Sequence, residues 1–182
     1  MVRPAKHHYL TVALMGKDQA GVINGLAQLA TNSGCSVNKC QSSLLGEQCV
    51  ITALLSGTWN AIAKMETGLT ALEKQYNLSR LCERTQLPSL EGAFIPYTVQ
   101  LVALETPGII YDVSSFFTET DISICHIDAE CFGASYTGAT MFSLNMTVNI
   151  PADTHIPDLR ERFMLYCDDL NLDAVLEPIK TP

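Results

Sequence analysis

The chain has 182 residues, 47% hydrophobic and 16% charged, enough to bury one ordinary core or two small ones and unlike the composition of a disordered polymer. Its formal net charge of -8, with no local run of Lys and Arg, works against any sequence-independent grip on phosphate backbones and argues against direct nucleic-acid binding. No apolar stretch approaches the roughly 20 residues of a membrane-spanning helix. The seven cysteines are odd in number and lack CxxC spacing, which fits reduced thiols in a cytoplasm better than a disulfide framework.

In chain order, "MVRPAKHHYLTVALMG" sets basic residues ahead of a short alternating apolar run with no cleavage site behind it, so 8–15 is read as a first strand, with His7 and His8 as a solvated start. The turn "GKDQAG" follows, and Val22, Leu26 and Leu29 then recur near the 3.6-residue period of a helix. Strands over 35–44 and 49–56 form a hairpin; a helix over 59–76 and a strand over 78–83 close the set. The segment 85–96, with two prolines, one glycine and few charges, reads as a linker. The expected organisation is a domain over 1–87, a linker over 88–95 with the boundary near Leu90, and a domain over 96–182.

The second half repeats the first. A shift of 87 residues pairs Leu10 with Tyr97, Leu14 with Leu101, Asp18 with Glu105, Gly21 with Gly108, Leu26 with Val113 and Ser36 with Ser123. The shift grows to 91 across the hairpin, pairing Ile51 with Phe142 and Leu55 with Met146, because "FGASYTG" is longer than "LGE". Strands over 97–104, 122–131, 140–149 and 172–177, with helices from 109 and over 155–170, give the same βαββαβ order. This predicts an α+β fold of two tandem ferredoxin-like domains, each a four-stranded antiparallel sheet with its helices on one face. The bare face then needs another layer, and pairing within the chain or between two chains would supply it. Phe116, Phe117, Phe142, Phe163 and Tyr166 fall at core periods.

A strand, a glycine turn and a helix start together present unpartnered backbone N–H groups at the positive end of a helix dipole. Such a place suits a carboxylate, and an acidic side chain beside it suits an ammonium group, so the pair matches a free amino acid. The alternative is purely structural, since acidic residues, proline and glycine are all ordinary near helix starts.

The stretches "KDQAGVINGLAQLATNSGCSVNKCQ" and "LETPGIIYDVSSFFTETDISICHID" resemble the first half of ACT domains, and the two-domain layout resembles the glycine cleavage system transcriptional repressor family. The resemblance implies a cytoplasmic, non-catalytic regulator that responds to an amino acid, with glycine as effector, and that binds a LysR-type activator protein, working as a homodimer. It carries effector contacts onto Asp18, Gln19, Ala20, Gly21, Val22 and Ser36, and onto Glu105, Thr106, Pro107, Gly108, Ile109 and Ser123. Ala20 stands where the family favours proline, Glu105 where it favours Asp or Asn, and both serines where Asn is common. One copy, both or neither therefore binds, and a ligand-free interaction adaptor is the alternative.

No catalytic residues, metal or cofactor are expected. The four histidines form no triad with a cysteine or serine, and there is no phosphate loop or dinucleotide fingerprint. Strict strand alternation would point Cys125 and His126 to opposite faces, away from a common ion.

Overall fold

The computed structural model describes residues 7–87, 93–135 and 138–179. The chain divides into two compact units, Met1–Ser89 and Leu90–Pro182. Most of the expected linker lies at 88–92, outside the described residues.

Unit 1 runs β1 (His8–Lys17), α1 (Val22–Ser33), β2 (Ser36–Leu45), β3 (Gln48–Gly57), α2 (Trp59–Tyr76) and β4 (Ser79–Thr85). Its sheet has the order β2-β3-β1-β4, with every pair antiparallel. Along β1 the burial alternates, with Leu10, Val12 and Leu14 turned to the helices and Thr11 and Met15 turned away, as a sheet covered on one side requires. Leu10, Val12 and Leu14 join Val22, Leu26 and Ala30 of α1 and Ile62, Met65 and Leu69 of α2 in one aliphatic core. The Thr58 hydroxyl caps α2 by accepting from the Ala61 N–H at 3.2 Å, and Gly34, at φ 77°, ends α1 in the left-handed region.

Unit 2 repeats the plan with β5 (Phe94–Leu104), α3 (Ile109–Glu119), β6 (Ser123–Gly133), β7 (Thr140–Pro151), α4 (Ile156–Asp169) and β8 (Asp173–Pro178), in the order β6-β7-β5-β8. Its core is aromatic where that of unit 1 is aliphatic: Phe116, Phe117 and Phe163 meet with ring centroids 5.1 to 5.3 Å apart. β5 begins at Phe94, three residues before the sequence reading places it, because Phe94 and Ile95 still pair with Pro151 and Ile150.

The two second strands share an irregularity that alternation alone does not foresee. The register of β2 shifts between Val37 and Lys39, and that of β6 shifts between Ile124 and His126. Cys125 is thus the extra residue of a β-bulge, and the argument from strict alternation fails at this point of the strand. Among the described residues no group of three or more His, Cys, Asp and Glu is placed to hold a metal ion. No helix of the described residues is long and apolar enough to cross a membrane.

Candidate functional site

The turn between β1 and α1 is held from three sides. The Asp18 N–H donates to the Glu47 carbonyl at 3.1 Å, tying the turn to the β2–β3 hairpin. The Gln19 side-chain amide donates to the Tyr76 carbonyl at 2.9 Å, and the Tyr76 hydroxyl donates back to the Gly21 carbonyl at 3.3 Å, so the end of α2 braces the helix start. Gly21 is the N-cap of α1 at φ 98°, a left-handed conformation that favours glycine, and no side chain caps the helix. Asp18 is therefore not a capping residue, and the first N–H groups of α1 keep no side-chain partner.

This turn faces the end of the hairpin across an open cleft of about 410 Å³, lined by Asp18, Gln19, Ala20, Gly21, Val22 and Ile23 on one side and by Ser42, Ser43, Leu44 and Cys49 on the other. Five of the six residues assigned to the first copy thus lie together with the sixth absent. Ser36 pairs with Ser56, which pairs with Tyr9, while the turn adjoins Lys17 and Gln48. The serine sits eight residues away along β1, about 26 Å at ~3.3 Å per residue, at the opposite end of the same sheet. The hydroxyl that faces the turn is that of Ser42, 3.6 Å from the Cys49 sulfur. Carrying the repeat offset of 91 down the hairpin finds its position: Ile51, the partner of Ser42, repeats Phe142, whose partner is Cys131, and Cys49 repeats Thr140. Each unit places one hydroxyl and one thiol there, in exchanged order.

The second turn has the same frame with different chemistry. The Glu105 N–H donates to the Thr140 carbonyl at 3.0 Å, and Gly108 is the N-cap of α3 at φ 109°, again without a side-chain cap. Thr106 and Pro107 lie in the loop before it, and Ile109, which is buried, opens the helix. Pro107 precedes the N-cap and is not the first helical residue. The first turn of α3 carries Asp112, whose Oδ2 would lie 3.7 Å from a Cβ at Gly108; the corresponding residue of α1 is Gly25. A resident carboxylate at the positive end of the dipole competes with a carboxylate ligand. Ser123 pairs with Asn149 and so lies, like Ser36, at the end of its sheet remote from the turn.

A larger hollow of about 680 Å³, lined by His7, His8, Arg84 and neighbours, opens at the other end of the unit 1 sheet. Its guanidinium is already engaged. Arg84 donates to both oxygens of Glu66 at 2.9 and 2.8 Å and lies 5.2 Å over the Trp59 ring. The bond from Arg84 holds the Glu66 carboxyl below its usual range.

A βαββαβ unit with a glycine turn facing its own hairpin defines a class. Residues 8–80 match the family model of the ACT domain, and the second unit has the same strand order and the same bulge. Over 175 residues the chain is 24% identical to the glycine cleavage system transcriptional repressor of Escherichia coli (strain K12), covering 96% of this chain and 92% of the relative. The repressor of the same name from Shigella flexneri matches to the same extent. Two crystal structures share the fold over 96% of this chain: a candidate glycine cleavage system transcriptional repressor at TM-score 0.70, 21% identical and covered to 99%, and a protein of Galdieria sulphuraria at TM-score 0.78, 17% identical and covered to 100%. The curated relatives carry the name of a regulator, not of an enzyme.

Proposed function

We propose that the chain is a non-catalytic, amino-acid-responsive repressor of glycine cleavage operon transcription, acting in the cytoplasm as a homodimer by binding an activator protein of LysR type, with glycine as its effector. The observation that carries the ligand half is the unit 1 cleft, which sets uncapped helix N–H groups, the Asp18 carboxylate and the Ser42 hydroxyl around one space. The α-carboxylate of an amino acid would take the N–H groups of α1, and its ammonium group would take Asp18. Unit 1 is the working copy, because Asp112 already supplies a negative charge at the start of α3. The net charge of -8 fits a repressor that touches a protein instead of DNA.

Calorimetric titration with each of the twenty amino acids tests the effector, since the cleft also has room for residues larger than glycine. One site per chain is expected, lost in Asp18→Asn and kept in Glu105→Gln. Heat from none of the twenty would sink the effector. In that case capture of the activator, unresponsive to glycine, would mark a ligand-free adaptor.

A further inference from the structure

The faces of the two sheets turned away from the helices are chemically unlike. On unit 2 the open face carries Asp128, Glu130, Asp173 and Glu177, with Gln100 and Asn145 at its centre and exposed Val102, Leu104, Phe132 and Val175 among them, and its four strands contain no Lys or Arg. Four acids with no Lys or Arg to offset them repel a second copy of the same face. On unit 1 the centre of the open face is apolar, with Met15, Leu54 and Ala13 beside Leu81, of which Met15 is 48% and Leu81 65% exposed.

Apart from Lys17 at the end of β1, charge on the unit 1 face lies on its two edge strands, in an order that the register fixes. Lys39 of β2 pairs with Leu54 of β3, Leu54 pairs with Thr11 of β1, and Thr11 pairs with Glu83 of β4. One row across the sheet therefore reads cation, apolar, hydroxyl, anion.

We propose that this open face is a homodimer interface, covered by the same face of a second copy with the two-fold axis parallel to the strands. Rotation about that axis keeps each residue in its row and reverses the order of strands. β2 of one copy then lies over β4 of the other, so Lys39 faces Glu83 of the second copy, twice per dimer, and Leu54 lies over Thr11 of the second copy. A shallow hollow of about 190 Å³ lined by Thr11, Ala13, Leu81, Glu83, Arg84 and Thr85 gives that leucine a place. A two-fold axis across the strands would instead set Lys39 over Lys39. A sheet of four strands of about ten residues measures about 30 by 19 Å, or roughly 1,100 Å² for the two copies, which reaches the size of a specific interface. Sheets packed face to face in this way take the aligned arrangement of β-sandwiches.

The inference rests on the homodimer of the proposed function and not on its effector. Sedimentation velocity across the micromolar range tests it. The wild-type chain should sediment as a dimer. Lys39→Glu and Glu83→Lys, both exposed positions, should each raise the dissociation constant about tenfold through like-charge contacts. The double variant Lys39→Glu/Glu83→Lys should return it to within about threefold of wild type, because the pair is restored with its sign reversed. Leu54→Asp should give a monomer whose circular dichroism melt shows that it is folded. A monomeric wild type would overturn the dimer altogether. A dimer indifferent to both single reversals, or a double variant weaker than either single, would overturn this surface and leave the dimer standing.

Discussion

Gly21 sits at φ 98° with the Tyr76 hydroxyl 3.2 Å from the point where a Cβ would be. An alanine there meets both a backbone region that L side chains avoid and a close oxygen, and left-handed strain alone costs on the order of 1–3 kcal/mol. Gly21→Ala is expected to lower the stability of the protein by about 2 kcal/mol in urea melts and to loosen the brace from Tyr76. The cysteines separate in the same residue-by-residue way. Burial pushes the Cys167 thiol up to about 11, with the nearby Asp168 adding to it, whereas Cys40, Cys125 and Cys131 are exposed. Since the thiolate is the nucleophile, Cys167 should stay unmodified by a disulfide reagent at pH 8 until the protein unfolds, while the three exposed cysteines react first. Peptide mapping after brief labelling reads the order. Labelling of Cys167 in the native protein at the rate of Cys40 would contradict it.

Among the elements, α4 depends on Phe163, which is fully buried against Phe116 and Phe117. Phe163→Ala should cost about 3–5 kcal/mol, read as an earlier transition of the near-ultraviolet phenyl bands. The pair that joins β4 to α2 responds to pH. The Glu66 carboxyl is lowered chiefly by the bond from Arg84, so its stabilisation is present above the usual carboxylate value of about 4.3 and is lost as the pH falls through the lowered one. The melting temperatures of wild type and Glu66→Gln should therefore differ at pH 7 and converge in more acidic solution. The order of elements was readable from the sequence because apolar residues alternate along Leu10, Val12 and Leu14 and recur at helical spacing in Val22 and Leu26. The turn was readable because it recurs. Which second-strand serine lies beside the turn is not legible in the sequence, because a strand has two ends and only the antiparallel register shows that within the unit it is Ser42 and not Ser36. The bulges at Asn38 and Cys125 left no mark either, since a bulge is a property of pairing and neither residue is a glycine.

At the scale of the whole molecule the net charge of -8 conceals a division. The strands of unit 1 hold Lys17, Lys39, Arg80 and Arg84 against one acid, Glu83, whereas those of unit 2 hold four acids and no Lys or Arg. Composition reports the sum, and only the assignment of residues to strands separates the parts. The basic side chains of unit 1 still make no phosphate-binding stripe. Arg80 is bound to Glu73 at 3.1 Å and Arg84 to Glu66, both on the helix side of the sheet, and Lys39 shares its row of the open face with Glu83. A protein that grips a duplex releases counterions in proportion to the phosphates it neutralises, and here the strand cations are few, both arginines are paired, and all are set in an anionic field. The chain alone should accordingly leave operator duplex unretarded in gel shifts at about 100 mM salt, while it alters the complex that an activator forms with the same duplex. Retardation by the chain alone, weakening steeply with added salt, would instead require a basic surface that this distribution of charge does not provide.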